Sequence, residues 1–381
     1  MKSRAHVVIV GAGVNGLGLA YQLAREGVRD IVVLERRYIP YGASGRNGGG
    51  VRAQWSTPEN IALARESIRA FKRMSAELGF NVWFRQGGYL FLARREEQVL
   101  ALKRLTKLQR DHGVRSRVVD AAEASILAPD LNLDGVVGGS FCPTDGIVFP
   151  WSVVFGYWQK CKEMGVEVVT FTGVTALETK GDRIARVETT RGSIETDWVV
   201  NAAGCWSPEL AAMAGVRLPN KPFRHEIFVT EALKPFLDPM IVDIDSGLYA
   251  NQDMRGEIVA GLGNPGEPTG VNFDSSLGFA KRLARNLVSL LPILSEVRVM
   301  RQWAGAYDVT PDNKPILGPA GYANFLQLHG ASGHGFMIHP VTTRMTADLV
   351  LGRKPRMDVE PFLLERFSRP RAPEEDALVI G

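Results

Sequence analysis

Cysteine is scarce. The chain of 381 residues carries three, Cys142, Cys161 and Cys205, far apart and with no C-x-x-C spacing. That argues against a disulfide framework, a zinc site or an iron–sulfur cluster within the chain, so no metal is expected. Unpaired thiols fit a reducing cytoplasm. Long apolar runs are missing too. No stretch approaches the roughly 18 residues that a transmembrane helix needs. The apolar start, Val7 to Val10, gives way to glycines at once; it is short for a secretory leader and serves better as a buried strand. Charge of one sign is not concentrated either. The formal net charge is +4, and basic residues come as scattered pairs such as Arg94-Arg95 and Lys103-Arg104. Such pairs suit a solvated helix face, and no nucleic-acid partner is expected. There is no internal repeat and no low-complexity tract.

What is present reads as a globular enzyme. The length exceeds one compact core, which predicts two domains. Hydrophobic residues make up 45% and charged residues 23%, ordinary for such a protein. Glycine, at 40 residues, clusters where backbone must turn sharply or approach a ligand.

Along the chain, Val7 to Val10 predicts a buried parallel strand, Leu17 to Glu26 a helix ended by Gly27, and Ile31 to Leu34 a second strand. Asn60 to Leu78 predicts an amphipathic helix. Gly88 to Ala93 predicts a short strand and Glu96 to His112 a helix. Residues 118–150 break into short pieces. Trp151 to Met164 predicts a helix and Val166 to Phe171 a strand, followed by separate β segments at 183–187, 193–196 and 198–202. Residues 223–263 have β-hairpin spacing. Leu277 to Leu290 predicts a helix, Phe325 to Leu328 a strand and Ile338 to Leu351 a last helix. The tail from Ser368 to Glu375 is polar and proline-bearing, and is expected to fray.

Gly11-x-Gly13-x-x-Gly16 lies between the first strand and the first helix. Its first glycine permits the turn, the second lets backbone approach a pyrophosphate, and the third lets helix and strand pack closely. The phosphates would sit on the helix N-terminus. Glu35 ends the second strand, roughly 20 residues on, where an acid can bond the ribose hydroxyls and disfavour a 2′-phosphate. A lone pattern of this kind also marks turns that bind nothing; strand, helix, second strand and acid together argue for a dinucleotide. Two features favour FAD over NAD. The glycine-rich loop Gly42 to Gly50, with Ser44, Arg46 and Asn47 interleaved, follows the second strand directly. The segment from Trp198 to Ser207 is a strand running into Ala203-Gly204, suited to return beneath the pyrophosphate loop.

These motifs, with V-V-N-A-A-G-C-W at 199–206, W-A-G-A-Y-D-V-T-P-D-N-K-P-I-L-G at 303–318 and G-A-S-G-H-G-F at 330–336, resemble the D-amino-acid oxidase family of FAD-dependent amine oxidoreductases. Within it the chain is most similar to the branch of sarcosine oxidase β subunits, related to the β subunits of dye-linked proline dehydrogenases and to dimethylglycine dehydrogenases. The resemblance implies an α/β fold: a Rossmann-like FAD-binding domain of discontinuous segments, 1–80, 142–218 and 312–381, plus an antiparallel-sheet α+β substrate domain of 81–141 and 219–311. The expected cofactor-binding set is Gly11, Gly13, Val14, Asn15 and Gly16; Glu35 and Arg36; Ser44, Arg46, Asn47, Gly48 and Gly49; Val174; Ala203, Gly204 and Trp206; and Gly305, Gly333, His334, Gly335, Phe336 and Met337.

The family also suggests residues for chemistry. The 330–337 loop would lie beside the flavin's pyrimidine end, its backbone dipoles favouring negative charge there. His334 either orients substrate and takes its ammonium proton near neutral pH, or bonds backbone behind the site. Arg52 either pairs with a substrate carboxylate or holds a phosphate or a structural ion pair. Tyr249 and His225 fall on predicted strands covering the flavin. Tyr307 stands where glycine oxidases carry an arginine, and Met337 where monomeric sarcosine oxidase carries a lysine. Core packing is the alternative for each. Gly305 and Pro150 occupy the places of flavin-linking residues, so FAD is expected to be non-covalent. Val259 falls where an oxygen-activating lysine would stand, pointing to an acceptor other than dioxygen. The expected activity is oxidation of a secondary or tertiary amino acid, sarcosine- or proline-like, to an imine that hydrolyses. A deaminating oxidase of a primary amino acid, or a β subunit active only with partner subunits that accept electrons, are the alternatives.

Overall fold

The computed structural model describes residues 1–368; beyond Ser368 the tail expected to fray lies outside the described residues. Two large sheets organise the chain. In the first, five parallel strands run in the order Tyr322–His329, Gly192–Asn201, Arg4–Val10, Ile31–Leu34, Glu167–Val169, with Ile316–Ala320 antiparallel at one edge. The central strands are apolar on both sides because both faces are covered. Val7, Ile9, Ile31 and Val33 meet the helices Val14–Arg25, Pro150–Glu163 and Gly335–Val350. Val8, Val32 and Val199 meet Leu177, Ile184 and Val187 of the Val174–Lys180/Arg183–Thr189 hairpin.

The second sheet orders its strands Val299–Val309, Lys221–Ala232, Glu257–Leu262, Leu248–Gln252, Met240–Asp243, Tyr89–Ala93, Gly138–Cys142, Arg117–Val119. It is antiparallel except for one pair, Met240–Asp243 beside Tyr89–Ala93. Period-2 alternation splits its faces. Leu90, Phe228, Ile241, Ala250 and Ile258 pack under the helix Leu277–Leu290, on Phe279, Leu283 and Leu287. Tyr89, Phe91, Ile227, Met240, Val242, Tyr249 and Val259 form the opposite layer.

Several expectations need correction. The segments expected at 193–196 and 198–202 are one strand, Gly192–Asn201, paired antiparallel with Arg183–Thr189 at its start and parallel with Arg4–Val10 further on. Polar Asp197 breaks the apolar run without breaking the strand, because its carboxylate bonds His6 at 2.8 Å on the surface. Lys221–Ala232 does not form a hairpin with the strand after it; it pairs with Glu257–Leu262 and with Val299–Val309, the latter not read as a strand from sequence. The last helix begins three residues earlier than expected, at Gly335. The three cysteines are free and buried. Among the described residues no helix is long and apolar enough to cross a membrane.

Candidate active site

A cleft runs between the sheets, from Glu35 and Val174 at one end to Tyr89, Met240 and Tyr249 at the other. At the first end, Gly11 has φ +110°, and a Cβ there would sit 2.4 Å from Ala202 O. Gly16 would place a Cβ 1.8 Å from Gly11 O, so its lack of a side chain lets the helix lie on the strand. Gly16 is thus the one expected cofactor residue that does not line the cleft. Every other residue of the expected cofactor and chemistry sets does. Glu35 accepts from the Ala12 N–H at 3.1 Å and from the Arg37 N–H at 2.8 Å. Burial raises its carboxyl pKa, opposed by those backbone bonds.

The helices differ in their caps. Thr57, Asp120 and Ser276 cap three helices through their side chains. Gly13 and His334 begin Val14–Arg25 and Gly335–Val350 with no side-chain cap, and both line the cleft. An uncapped N-terminus leaves N–H donors and the positive end of the helix dipole for an anion. A Cβ on Gly13 would lie 3.0 Å from Ser44 Oγ, so the backbone there is kept close to the cleft. His334 is 5% exposed, yet neither ring nitrogen has a hydrogen-bond partner among the described residues. Buried polar groups are rarely left so. Two helix N-termini whose own cap residues give no side-chain bond (the Val14 N–H is taken by Ser44 Oγ at 2.9 Å), a glycine-lined cradle and an orphaned imidazole fit a long dinucleotide with a polar ring system at its far end. The glycine loops, Glu35 and the 330–337 turn would hold it.

The second glycine loop is tied to the second sheet. Arg46 donates from Nε to Tyr41 O at 2.9 Å and from Nη1 to Ala304 O at 3.0 Å, while Trp303 Nε1 donates to Arg46 O at 3.0 Å. Asn251 Nδ2 donates to Gly48 O at 3.1 Å. Arg36 lies over the Trp206 ring, 4.0 Å from its centroid.

At the far end, aromatic side chains from three strands of the second sheet converge. His225 stacks on Tyr307 at 4.5 Å, and its Nε2 bonds the Tyr249 hydroxyl at 2.9 Å. Gly261, opposite Tyr249, has no side chain because a Cβ would meet the tyrosine hydroxyl at 2.3 Å. Burial pushes the His225 imidazole down to about 4 and the Tyr307 phenol up to about 12, so both are neutral at pH 7. Arg52 is buried between Trp55 and Phe91, with guanidinium-to-centroid distances of 4.1 and 5.3 Å, and donates to Gln54 O at 2.9 Å. His334 packs edge-on against Trp55 at 4.1 Å. Burial, with Arg52 adding to it, holds the His334 imidazole well below its ordinary pKa. A proton acceptor working near neutral pH is therefore not what this environment makes of it; a neutral hydrogen-bonding group is.

The turn carrying these groups is reinforced. Gly330 N–H donates to Asp308 Oδ2 at 2.7 Å, and Asn220 bonds the other oxygen. A Cβ on Gly333 would meet the Tyr307 ring at 2.8 Å. Inside the helix, Pro340 has no N–H for the Phe336 carbonyl. His339 Nδ1 supplies the missing donor at 2.6 Å, and the Tyr157 hydroxyl donates to its Nε2 at 3.1 Å. Sequence reasoning missed Tyr41, Trp55, Tyr89, Phe273 and His339. Tyr41 and Trp55 flank the second glycine loop, a signal that was available; Phe273, 5.6 Å from Tyr41, comes from a loop with no motif.

Residues 6–349 match the family described as FAD dependent oxidoreductase. The chain is 30% identical over 371 residues to the sarcosine oxidase subunit beta of Rhodobacter capsulatus, covering 96% of this chain and 89% of that one. It is 31% identical over 376 residues to the corresponding subunit of Rhizobium meliloti, covering 97% and 89%. The crystal structure of L-proline dehydrogenase from P. horikoshii superposes with a TM-score of 0.92 at 31% identity, over 97% of this chain and 99% of that one. With the dinucleotide cradle and these full-length likenesses together, the chain belongs to the FAD-dependent oxidoreductase family and is a flavoprotein oxidoreductase.

Proposed function

We propose that this protein oxidises a secondary or tertiary amino acid, of the sarcosine or proline type, to an imine that water hydrolyses. One observation carries the reading: a desolvated arginine and three neutral hydrogen-bonding side chains meet at the end of the cleft opposite Glu35. Arg52 binds the substrate carboxylate, a charge-assisted contact strengthened by its burial. His225, Tyr249 and Tyr307 bound the amine side without an anion to hold an ammonium. Of the carboxylates lining the cleft, Glu35 and Glu209 lie at the dinucleotide end, Glu209 3.8 Å from the Arg36 guanidinium, and Asp308 is committed to Gly330 and Asn220. The amine therefore enters as the free base, and the carbon beside nitrogen gives up a hydride equivalent. Bound FAD supplies the electron sink. His334, neutral, offers a ring nitrogen for orientation, and the uncapped turn at Gly335 offers backbone N–H groups.

FAD is held without a covalent bond, since Gly305 and Pro150 have no side chain able to link it. Within the described residues, 1–80, 142–218 and 312–368 belong to the FAD domain and 81–141 and 219–311 to the substrate domain; support comes from which sheet each stretch feeds. The names of the relatives favour a second element of the reading: this chain is a β-type subunit that passes electrons to partner subunits. Val259, apolar and close to Gly48, supports an acceptor other than dioxygen. Buried free thiols support a cytoplasmic setting. The test is anaerobic mixing with sarcosine, L-proline, dimethylglycine and glycine while following flavin bleaching. Fastest bleaching by glycine would transfer the protein to the deaminating oxidases.

A further inference from the structure

Behind Arg52 lies a carboxylate that the reaction above does not use. Asp145 is wholly buried. Its Oδ1 accepts from the Ala53 N–H at 3.0 Å and its Oδ2 from Gln54 Nε2 at 3.3 Å. Gln54 also bonds Tyr89 O and Ser140 Oγ, at 3.1 and 3.0 Å. Asp145 thus holds the irregular segment Arg52–Trp55, whose first residue meets the cleft and whose last packs on His334. We propose that Asp145 is a positioning residue: its carboxylate sets both the placement and the effective charge of Arg52, so that it competes with a bound carboxylate for one guanidinium. The inference rests on the assignment of Arg52 to the substrate carboxylate.

The electrostatics agree with the geometry. The groups facing Asp145 are Arg52 and the Gln54 amide from its held segment, Cys142 from Gly138–Cys142, and Tyr89 from Tyr89–Ala93. Burial raises Cys142 and Tyr89, so both stay protonated near neutrality. Burial lifts Asp145 to about 7, against the pull of Ala53, Cys142, Gln54 and Arg52. An anion arriving at Arg52 adds repulsion and raises Asp145 further. Binding then takes up a proton, and affinity falls as pH rises. A carboxylate that only anchored the loop would show no such linkage.

The probe is methoxyacetate, which has an ether oxygen in place of the amine and a carboxylate that does not titrate near pH 7. Its Kd for the FAD-loaded protein is read from the flavin absorbance change between pH 6 and 8.5. In the wild type Kd should rise roughly two- to fivefold from pH 7 to 8. In Asp145→Asn, which keeps an acceptor for Ala53, it should be flat. Proton uptake on binding, followed with an indicator dye at pH 7.5, gives a second reading on the unmutated protein. A flat wild-type profile, no proton uptake, or an unchanged slope in Asp145→Asn overturns the proposal. If Arg52→Met leaves Kd unchanged, the assignment of Arg52 fails and the proposal with it; if Arg52→Met weakens binding while the pH slope is absent, only the role of Asp145 fails.

Discussion

Acid should weaken this fold at a pH where most of its carboxylates are still ionised. Burial pushes His225 to about 4 and His339 to about 3, and holds His334 well below its ordinary value. In the unfolded chain each would titrate at about 6.5. A histidine whose folded pKa is depressed contributes stability above the unfolded value and loses it as pH falls, because the unfolded state then binds the proton the fold refuses. Three such groups would give the unfolded chain three extra protons near pH 5. Asp145, raised to about 7, works in the opposite sense: the fold binds its proton first and is stabilised as pH falls. Glu35, also raised by burial, adds to that offset. One to two net protons remain, a slope of about 2 kcal/mol per pH unit. Between pH 6.5 and 5 the loss is then about 3 kcal/mol, a large share of a total stability of roughly 5–15 kcal/mol. Urea unfolding followed by tryptophan fluorescence, with saturating FAD and without, measures it. His339→Gln should lessen the slope by about 1.4 kcal/mol per pH unit. Stability that stays level or rises from pH 6.5 to 5 would refute the reasoning.

Three further outcomes are expected. Arg52→Met should weaken substrate binding by roughly 10- to 150-fold, the 1.5–3 kcal/mol typical of a hydrogen bond to a charged group, with FAD content unchanged; equal affinity by anaerobic titration removes Arg52 from the substrate. Acid precipitation should release yellow flavin into the supernatant, and Gly13→Val, whose side chain would crowd Ser44 and the pyrophosphate's place, should purify colourless; flavin remaining in the pellet would mean a covalent link. Enzyme reduced anaerobically by substrate should be reoxidised faster by an artificial dye than by air-saturated buffer, and air reoxidation at turnover rate would return the chain to the oxidases.

The sequence was most legible where one short segment carries a whole physical requirement. Gly11, Gly13 and Gly16 sit within six residues, so turn, close approach and helix packing can be read together. Leu277–Leu290 and Ile31–Leu34 have the bounds expected, because a side-chain cap, a proline stop or an unbroken β-branched run marks their ends. Val174–Lys180 was missed because it lies on the outer layer and carries polar residues at most positions. The start of the last helix was misplaced because Gly335 is a poor helix former, and only the cleft explains a glycine in its first turn.

The far end of the cleft was legible as a list of residues but not as an arrangement. Tyr249, His225 and Tyr307 come from three strands, and their contact depends on register between segments up to dozens of residues apart. Phe223 pairs with Tyr307 and His225 with Gly305, while Tyr249 stands opposite Gly261. A slip of one residue in any of these pairings would turn an aromatic ring onto the face covered by Leu277–Leu290. Nothing local in the sequence fixes that register. Packing does: Phe228, Ile258 and Ala250 must face the helix, which leaves Ile227, Val259 and Tyr249 for the opposite face. The same alternation that buries the core thus aims the side chains at the cleft. Exchanging Ala250 for a charged residue should accordingly disturb Tyr249 and His225 without touching either.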